Sequence, residues 1–145
     1  MTATAWTLTF DCANATTLAA FWREALGYVE AKPKGFDTWP EWFAHYGVPA
    51  EEWDDGAAIE DADGVRPSIS FLKVPESKVV KNRIHLDVQA GGGRQNPIEV
   101  RWPRVTAMVE RLTAAGATVL ETSMNGDTPD HVVMADPEGN EFCVL

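Results

Sequence analysis

Cysteine is scarce in this chain. Cys12 and Cys143 are the only two among 145 residues, and they sit at opposite ends. Neither belongs to a Cys-x-x-Cys pair, which argues against a zinc knuckle or a thioredoxin-type site and for thiols that stay reduced. Positive charge is scarce too. Twelve Lys and Arg stand against 22 Asp and Glu, a formal net charge of -10. A chain this acidic repels phosphate backbones and anionic bilayers, so neither nucleic acid nor membrane is expected as a partner. It tolerates cationic small molecules, although a surplus of acid can equally be a solubilising coat. Long apolar runs are missing, since nothing approaches the roughly 18 residues of a membrane helix. The opening "MTATAWTLTF" has no basic region followed by a long apolar one, so no secretory leader is read and a cytoplasmic location is expected. No Gly-x-Gly-x-x-Gly follows a strand and no phosphate loop occurs, which excludes the common nucleotide-binding signatures.

What is present is a core and a repeat. Hydrophobic residues make up 45%, including six Trp and six Phe, enough to pack one domain. In "AWTLTFDC", Trp6, Leu8, Phe10 and Cys12 alternate with Thr7, Thr9 and Asp11, the period of a two-faced strand. Asn14 then caps a helix whose stripe is Leu18, Phe21, Trp22, Ala25 and Leu26, with Gly27 as its stop. "YVEAK" predicts a short strand. The second half repeats this order. "RIHLDVQ" alternates Ile84, Leu86 and Val88 against His85, Asp87 and Gln89. Pro103 is placed to open a helix with stripe Val105, Met108, Val109 and Leu112, ending at Gly116, and "ATVLE" predicts the next strand. Each half closes on a hairpin with an Asp-x-x-Gly turn, Asp61 to Gly64 and Asp136 to Gly139. Asp bonds back to the turn backbone and Gly takes a positive φ at no steric cost, so both aspartates are expected as turn-formers.

The halves differ in their insertions. The first carries an aromatic segment over residues 36–56, in which Thr38 and Glu41 fit a capping box ahead of Trp42, Phe43 and Tyr46. Trp39, Trp42 and Trp53 lie close together there, suited either to pin the segment on its sheet or to edge a ligand. The second half carries "AGGGRQNPIEVRW", whose three glycines predict a mobile loop.

Four stretches, "LTFDCANATTLAAFWREALGY", "VKNRIHLDV", "VERLTAAGATVLE" and "VVMADPEGNEFCVL", occur in the order of the vicinal oxygen chelate superfamily. The chain resembles its glyoxalase-like and bleomycin-resistance-like members. The resemblance implies an α+β fold: one domain over residues 1–145, with two tandem βαβββ modules, about 5–74 and about 82–145, whose mixed sheets curl around a cavity. Residues 74–81 would be the linker. It also implies a homodimer, and a small-molecule ligand handled either by a lyase, isomerase or dioxygenase-type enzyme or by a non-catalytic antibiotic-binding protein.

Metal-using relatives hold Zn, Ni, Fe or Mn with His and Glu from the first and last strands of each module. Carried over residue by residue, the His of the second module falls on His85. Its counterpart in the first module falls on Thr7 or Thr9. The Glu of the last strand, four residues past the turn glycine, falls on Cys143, with Glu141 on the same face. The first module's last strand offers Ser70 or Leu72. One good ligand, one thiol and two poor positions imply an incomplete metal site, so no tight metal is expected, with His85 the residue that would hold one. His85 has two other readings, a substrate-contacting acid–base group and a histidine bonded within the sheet. Asp87 and Asp11 could orient it or meet a cation. His85 and Asp87 are therefore the candidate catalytic pair. Thr9, Asp11, Trp39, Trp42, Glu141 and Cys143 are the candidate ligand contacts, and Cys143 is expected as an inert thiol rather than a nucleophile. His131, which enters the last hairpin, is a minor candidate for the pocket.

Overall fold

The computed structural model describes residues 1–145, which form two compact units. The first comprises Met1–Arg23 with Gly27–Ser77, and the second Glu24–Leu26 with Lys78–Leu145.

In the first unit, β1 (Leu8–Cys12) leads to α1 (Ala15–Leu26), β2 (Val29–Glu30), α2 (Trp39–His45), a 3-10 turn (Ala50–Asp55), β3 (Gly56–Glu60) and β4 (Ile69–Lys73). The sheet order is β1-β4-β3-β2, with β1 parallel to β4 and the other pairs antiparallel. Asn14 caps α1 by accepting the Thr17 N–H at 2.9 Å, and Gly27 ends it at φ 69°. The predicted stripe is the buried face: Leu18, Phe21, Trp22 and Ala25. Phe10 from β1 meets Trp22 at 5.3 Å and Phe71 from β4 at 5.4 Å between ring centroids. Burying a side chain of this size contributes about 2–3 kcal/mol.

The second unit repeats the topology. β5 (Asp87–Val88), α3 (Ile98–Ala114), β6 (Thr118–Asn125), β7 (Thr128–Ala135) and β8 (Glu141–Val144) give the sheet order β5-β8-β7-β6. Here β5 runs parallel to β8. Val132, Met134, Phe142 and Val144 are buried on one sheet face, and Val105 and Leu112 are buried on α3. Two elements differ from expectation. The strand read over "RIHLDVQ" shrinks to two residues, because Ile84 finds no cover and is 78% exposed. α3 starts at Ile98 and carries Pro103 in its interior. Pro97 precedes it, and Pro103 lies early enough that only one intrahelical bond, to the Glu99 carbonyl, is lost.

The two Asp-x-x-Gly turns are the same structure. The Gly64 N–H donates to Asp61 O and the Gly139 N–H to Asp136 O, each at 2.9 Å. Gly64 has φ 67° and Gly139 φ 83°, the region where a β-carbon is costly. The capping box of α2 is also present, with Thr38 Oγ1 accepting from Glu41 N and Glu41 Oε2 from Thr38 N. No helix is long and apolar enough to cross a membrane.

Candidate functional site

A strand alternates faces, and the second module's sheet has already committed one of them. Val88, Phe142 and Val144 turn into the core. Their neighbours Asp87, Glu141 and Cys143 must therefore turn to the other side. The parallel register sets Asp87 directly beside Cys143. His85, just before the strand, brings Nε2 to 3.3 Å from Asp87 Oδ1. The result is one cluster in which a ring nitrogen, a carboxylate oxygen and Cys143 Sγ all lie within 4.8 Å of one another. His85 and Asp87 are roughly half exposed, at 42% and 51% of the side chain.

Each member has a distinct character. Burial first, then the Asp87 carboxylate, pushes the Cys143 thiol above its ordinary pKa. Both effects favour the protonated S–H over the nucleophilic thiolate. Asp87 is more than an orienting group for His85: it touches both other members. Glu141 shares the face, but its carboxylate is engaged. It accepts the Asn82 backbone N–H at 3.0 Å and the Lys78 ammonium at 3.0 Å. Asn82, then Lys78, outweigh burial and hold it well below the usual range, at about 2. Glu141 thus ties residues 78–82 to the start of β8, just ahead of His85.

The remaining candidates lie in the first module. Thr9 and Asp11 are exposed on β1, opposite Ser70 and Leu72 of β4. Trp39 donates its indole N–H to Ala31 O at 2.8 Å and meets Trp42 at 5.7 Å. Trp42 packs on Tyr46 at 4.7 Å, and Phe43 stacks on Trp53 at 5.2 Å. These contacts pin the insertion together. Beside it, Gly35, Phe36, Asp37 and Glu41 line an open hollow.

A further polar network, which local sequence patterns do not announce, centres on Asp130 at the foot of β7. Arg94 grips its carboxylate at 2.7 and 3.2 Å, His131 Nδ1 lies at 2.8 Å, and Arg101 donates to its carbonyl at 2.6 Å. The bonds from His131 and Arg94 lower the Asp130 pKa. Gly91 N–H donates to Leu145 O and Asn96 bridges the Gly91 and Gly93 carbonyls, so the glycine loop is tied at several points. Gly91 leaves room for the Arg101 stem, which an added β-carbon would strike. In the sequence both Arg94 and Arg101 fall in the stretch read as a glycine-rich loop, and Arg101 joins the helix only because α3 starts at Ile98.

Residues 7–145 match the family model of the glyoxalase-like domain, and the chain belongs to that family. Among solved structures, it is similar to the fosfomycin resistance protein FosX from Mesorhizobium loti at 8% identity and TM-score 0.62, covering 99% of this chain and 91% of that one. It is also similar to a glyoxalase/bleomycin resistance protein/dioxygenase family enzyme from Burkholderia phytofirmans PsJN, at 16% identity and TM-score 0.58, covering 95% and 94%. A third is a mutant FosX from Listeria monocytogenes, complexed with Mn(II) and 1S,2S-dihydroxypropylphosphonic acid, at 13% identity and TM-score 0.60, covering 99% and 90%. No curated protein is detectably similar in sequence. At these identities the structural likeness establishes the α+β fold of the vicinal oxygen chelate superfamily.

That fold raises the question of a metal. A catalytic-type site needs about three protein donors. His85, Asp87 and Cys143 supply three from one module, and the 3.3 Å His85–Asp87 separation matches the spacing of about 3.4 Å between donors bound at roughly 2.1 Å to one tetrahedral ion. The donor set fits a divalent ion, although it is not the His and Glu set that the resemblance implies.

Proposed function

We propose that this glyoxalase-like protein binds a small organic molecule on the polar face of its second module and acts on it as an enzyme of the lyase, isomerase or dioxygenase type. His85 contacts the substrate and Asp87 holds the ring. The observation that carries this reading is the convergence of His85, Asp87 and Cys143 within 4.8 Å on the exposed side of a sheet whose other side is core. Polar groups that converge on an open surface, backed by a rigid core, fix the orientation of a ligand held mainly by apolar contact. A divalent ion held by the three donors would polarise neighbouring substrate oxygens. Thr9 and Asp11, with Trp39 and Trp42, are candidate ligand contacts of the first module, taken by themselves. Glu141 acts at one remove, by fixing the segment that leads into His85. The reading sets the protein in the cytoplasm, where its thiols stay reduced, and as the homodimer that the superfamily resemblance implies.

The test is a thermal-shift and tryptophan-fluorescence screen against aromatic diols, thiol conjugates, phosphonates and cationic antibiotics. Hits lose affinity on the order of tenfold on His85→Ala or Asp87→Asn, the loss expected for one charge-assisted bond, while the ligand-free melting temperature holds. Hits indifferent to both substitutions sink the reading. A second reading, a non-catalytic antibiotic-binding protein, is favoured by the hollow of Phe36, Asp37 and Glu41, where a ring and two carboxylates suit a cation. It predicts cationic hits that weaken on Asp37→Asn and ignore His85→Ala.

A further inference from the structure

The donor atoms of the second module differ in kind as well as number. His85 offers an imidazole nitrogen and Asp87 a carboxylate oxygen, but the third donor is Cys143 Sγ. We infer that His85, Asp87 and Cys143 form a sulfur-containing cation site that selects a borderline-soft divalent ion of the zinc class over a hard ion such as Mn(II) or Mg(II). The inference rests on the proposed placement of the functional site on this face, and it specifies the ion that the site takes.

Geometry first. Donors bound at about 2.1 Å to nitrogen or oxygen and about 2.3 Å to sulfur lie roughly 3.4–3.6 Å apart around a tetrahedral ion. His85 and Asp87 are already at 3.3 Å. The widest pair in the cluster is within 4.8 Å, so closure requires about 1 Å of side-chain movement. His85 and Asp87 are exposed enough to supply it. Cys143 is the fixed member: its backbone N–H donates to Leu86 O at 3.0 Å, and it pairs with Val133 on its other side. Three donors leave a fourth position for water or a ligand atom.

Chemistry then decides the ion. Thiolate favours zinc-class ions, whereas carboxylate and water suit Mg(II) and Mn(II). Binding forms an S–metal bond and breaks the S–H bond, with the proton passing to buffer. Two cations act on Cys143 from outside the cluster, Lys81 and Arg94. Arg94 is already paired with Asp130 at 2.7 Å, which blunts its repulsion of an incoming ion. Glu141 does not compete, because Lys78 and Asn82 hold it.

The experiment uses the full chain, stripped with chelator and dialysed, then titrated calorimetrically with Zn(II), Co(II) and Mn(II). One equivalent of Zn(II) and of Co(II) binds, and Mn(II) binds at least about tenfold more weakly. The Co(II) form shows an intense thiolate-to-cobalt charge-transfer band. Zn(II) protects Cys143 from a disulfide reagent; Cys12 is buried and does not confuse the count. Cys143→Ser abolishes the band and weakens Zn(II) on the order of tenfold or more, as does Asp87→Asn. Circular dichroism confirms that both variants fold. No uptake, uptake of Co(II) without the band, a preference for Mn(II), or a Cys143→Ser protein that binds Zn(II) unchanged would each overturn the inference. The organic-ligand screen is repeated on the stripped protein. Hits that persist there, sensitive to His85→Ala but without metal uptake, leave the functional reading standing and remove this one alone.

Discussion

The two modules invite direct comparison, because the same strand order, β1-β4-β3-β2 and β5-β8-β7-β6, was built twice from different residues. In each, the first and last strands of the module run side by side and parallel. In the first module that pair exposes Thr9 beside Ser70 and Asp11 beside Leu72. In the second it exposes Asp87 beside Cys143, with His85 leaning in. One module carries hydroxyls and a lone carboxylate, the other three donors of different chemistry within 4.8 Å of one another. The shared parts are the buried face and the turn. The divergent part is the outward face, which the fold does not need. Chemistry was free to change there because packing did not depend on it.

The largest effects test the shared part. Phe71 in the first module and Phe142 in the second are both almost fully buried. Phe71→Ala and Phe142→Ala should each cost about 3–5 kcal/mol, read as a lowered denaturation midpoint. A loss under about 1 kcal/mol for either would show that the two cores are not equivalent.

The turns come next, and they separate the modules. Asp136 is buried, and its Oδ1 accepts from the backbone N–H groups of Glu138 and Asn140 and from the Asn140 side chain. Asp136→Ala strands those donors and should cost about 1–3 kcal/mol. Asp61 makes similar bonds to Asp63 and Arg66 but is less completely buried, and its partner Arg66 is exposed, so Asp61→Ala should destabilise measurably less. Equal losses would mean that burial does not distinguish the two turns.

A smaller effect depends on pH. The Asp130 pKa is lowered, first by its bond to His131 and then by Arg94. A carboxyl whose folded pKa lies below its unfolded one releases its proton more readily in the folded state. Its stabilisation is therefore complete above the unfolded pKa, near 3.9, and is lost as pH falls through the folded value. Asp130→Asn should flatten the acid limb of stability against pH, and added salt should shrink the difference because the Arg94 end of the pair is largely exposed. An unchanged acid limb would show that the network does not couple to folding. The smallest effect is expected at the outward face of the first module. Thr9→Ala should shift stability by no more than about 0.5 kcal/mol, since Thr9 is exposed. It should leave Zn(II) uptake by the second module unchanged, which calorimetry would read directly.

Much of this was legible in the residues, where the forces are local. Asn14, Gly27 and the Thr38–Glu41 pair announced helix ends, because caps bond within one turn of chain. The Asp-x-x-Gly turns were readable for the same reason. The stripe of α1 named its buried face, and period two named the face of β1. Pro103 points to a first helical turn at its own position, whereas the helix begins at Ile98. Proline's preference for that position is strong, but it does not forbid a start one turn earlier. Alternation puts Ile84 on the apolar side of its strand, yet it is exposed, because alternation says which side a residue takes, not whether anything covers that side.

The family fold and the alternation of faces were therefore determined by the sequence alone, through spacing, capping and the two turns. The site was decided by tertiary structure. That Asp87 lies beside Cys143 depends on the register of two strands far apart in the chain. That Glu141 is withdrawn from the cluster depends on where residues 78–82 return. That Asp130 gathers Arg94, Arg101 and His131 depends on a loop, a helix and a strand meeting at one point. Hydrogen-bond register and loop path are set by the sum of many weak contacts across the chain, and no short stretch of residues encodes them.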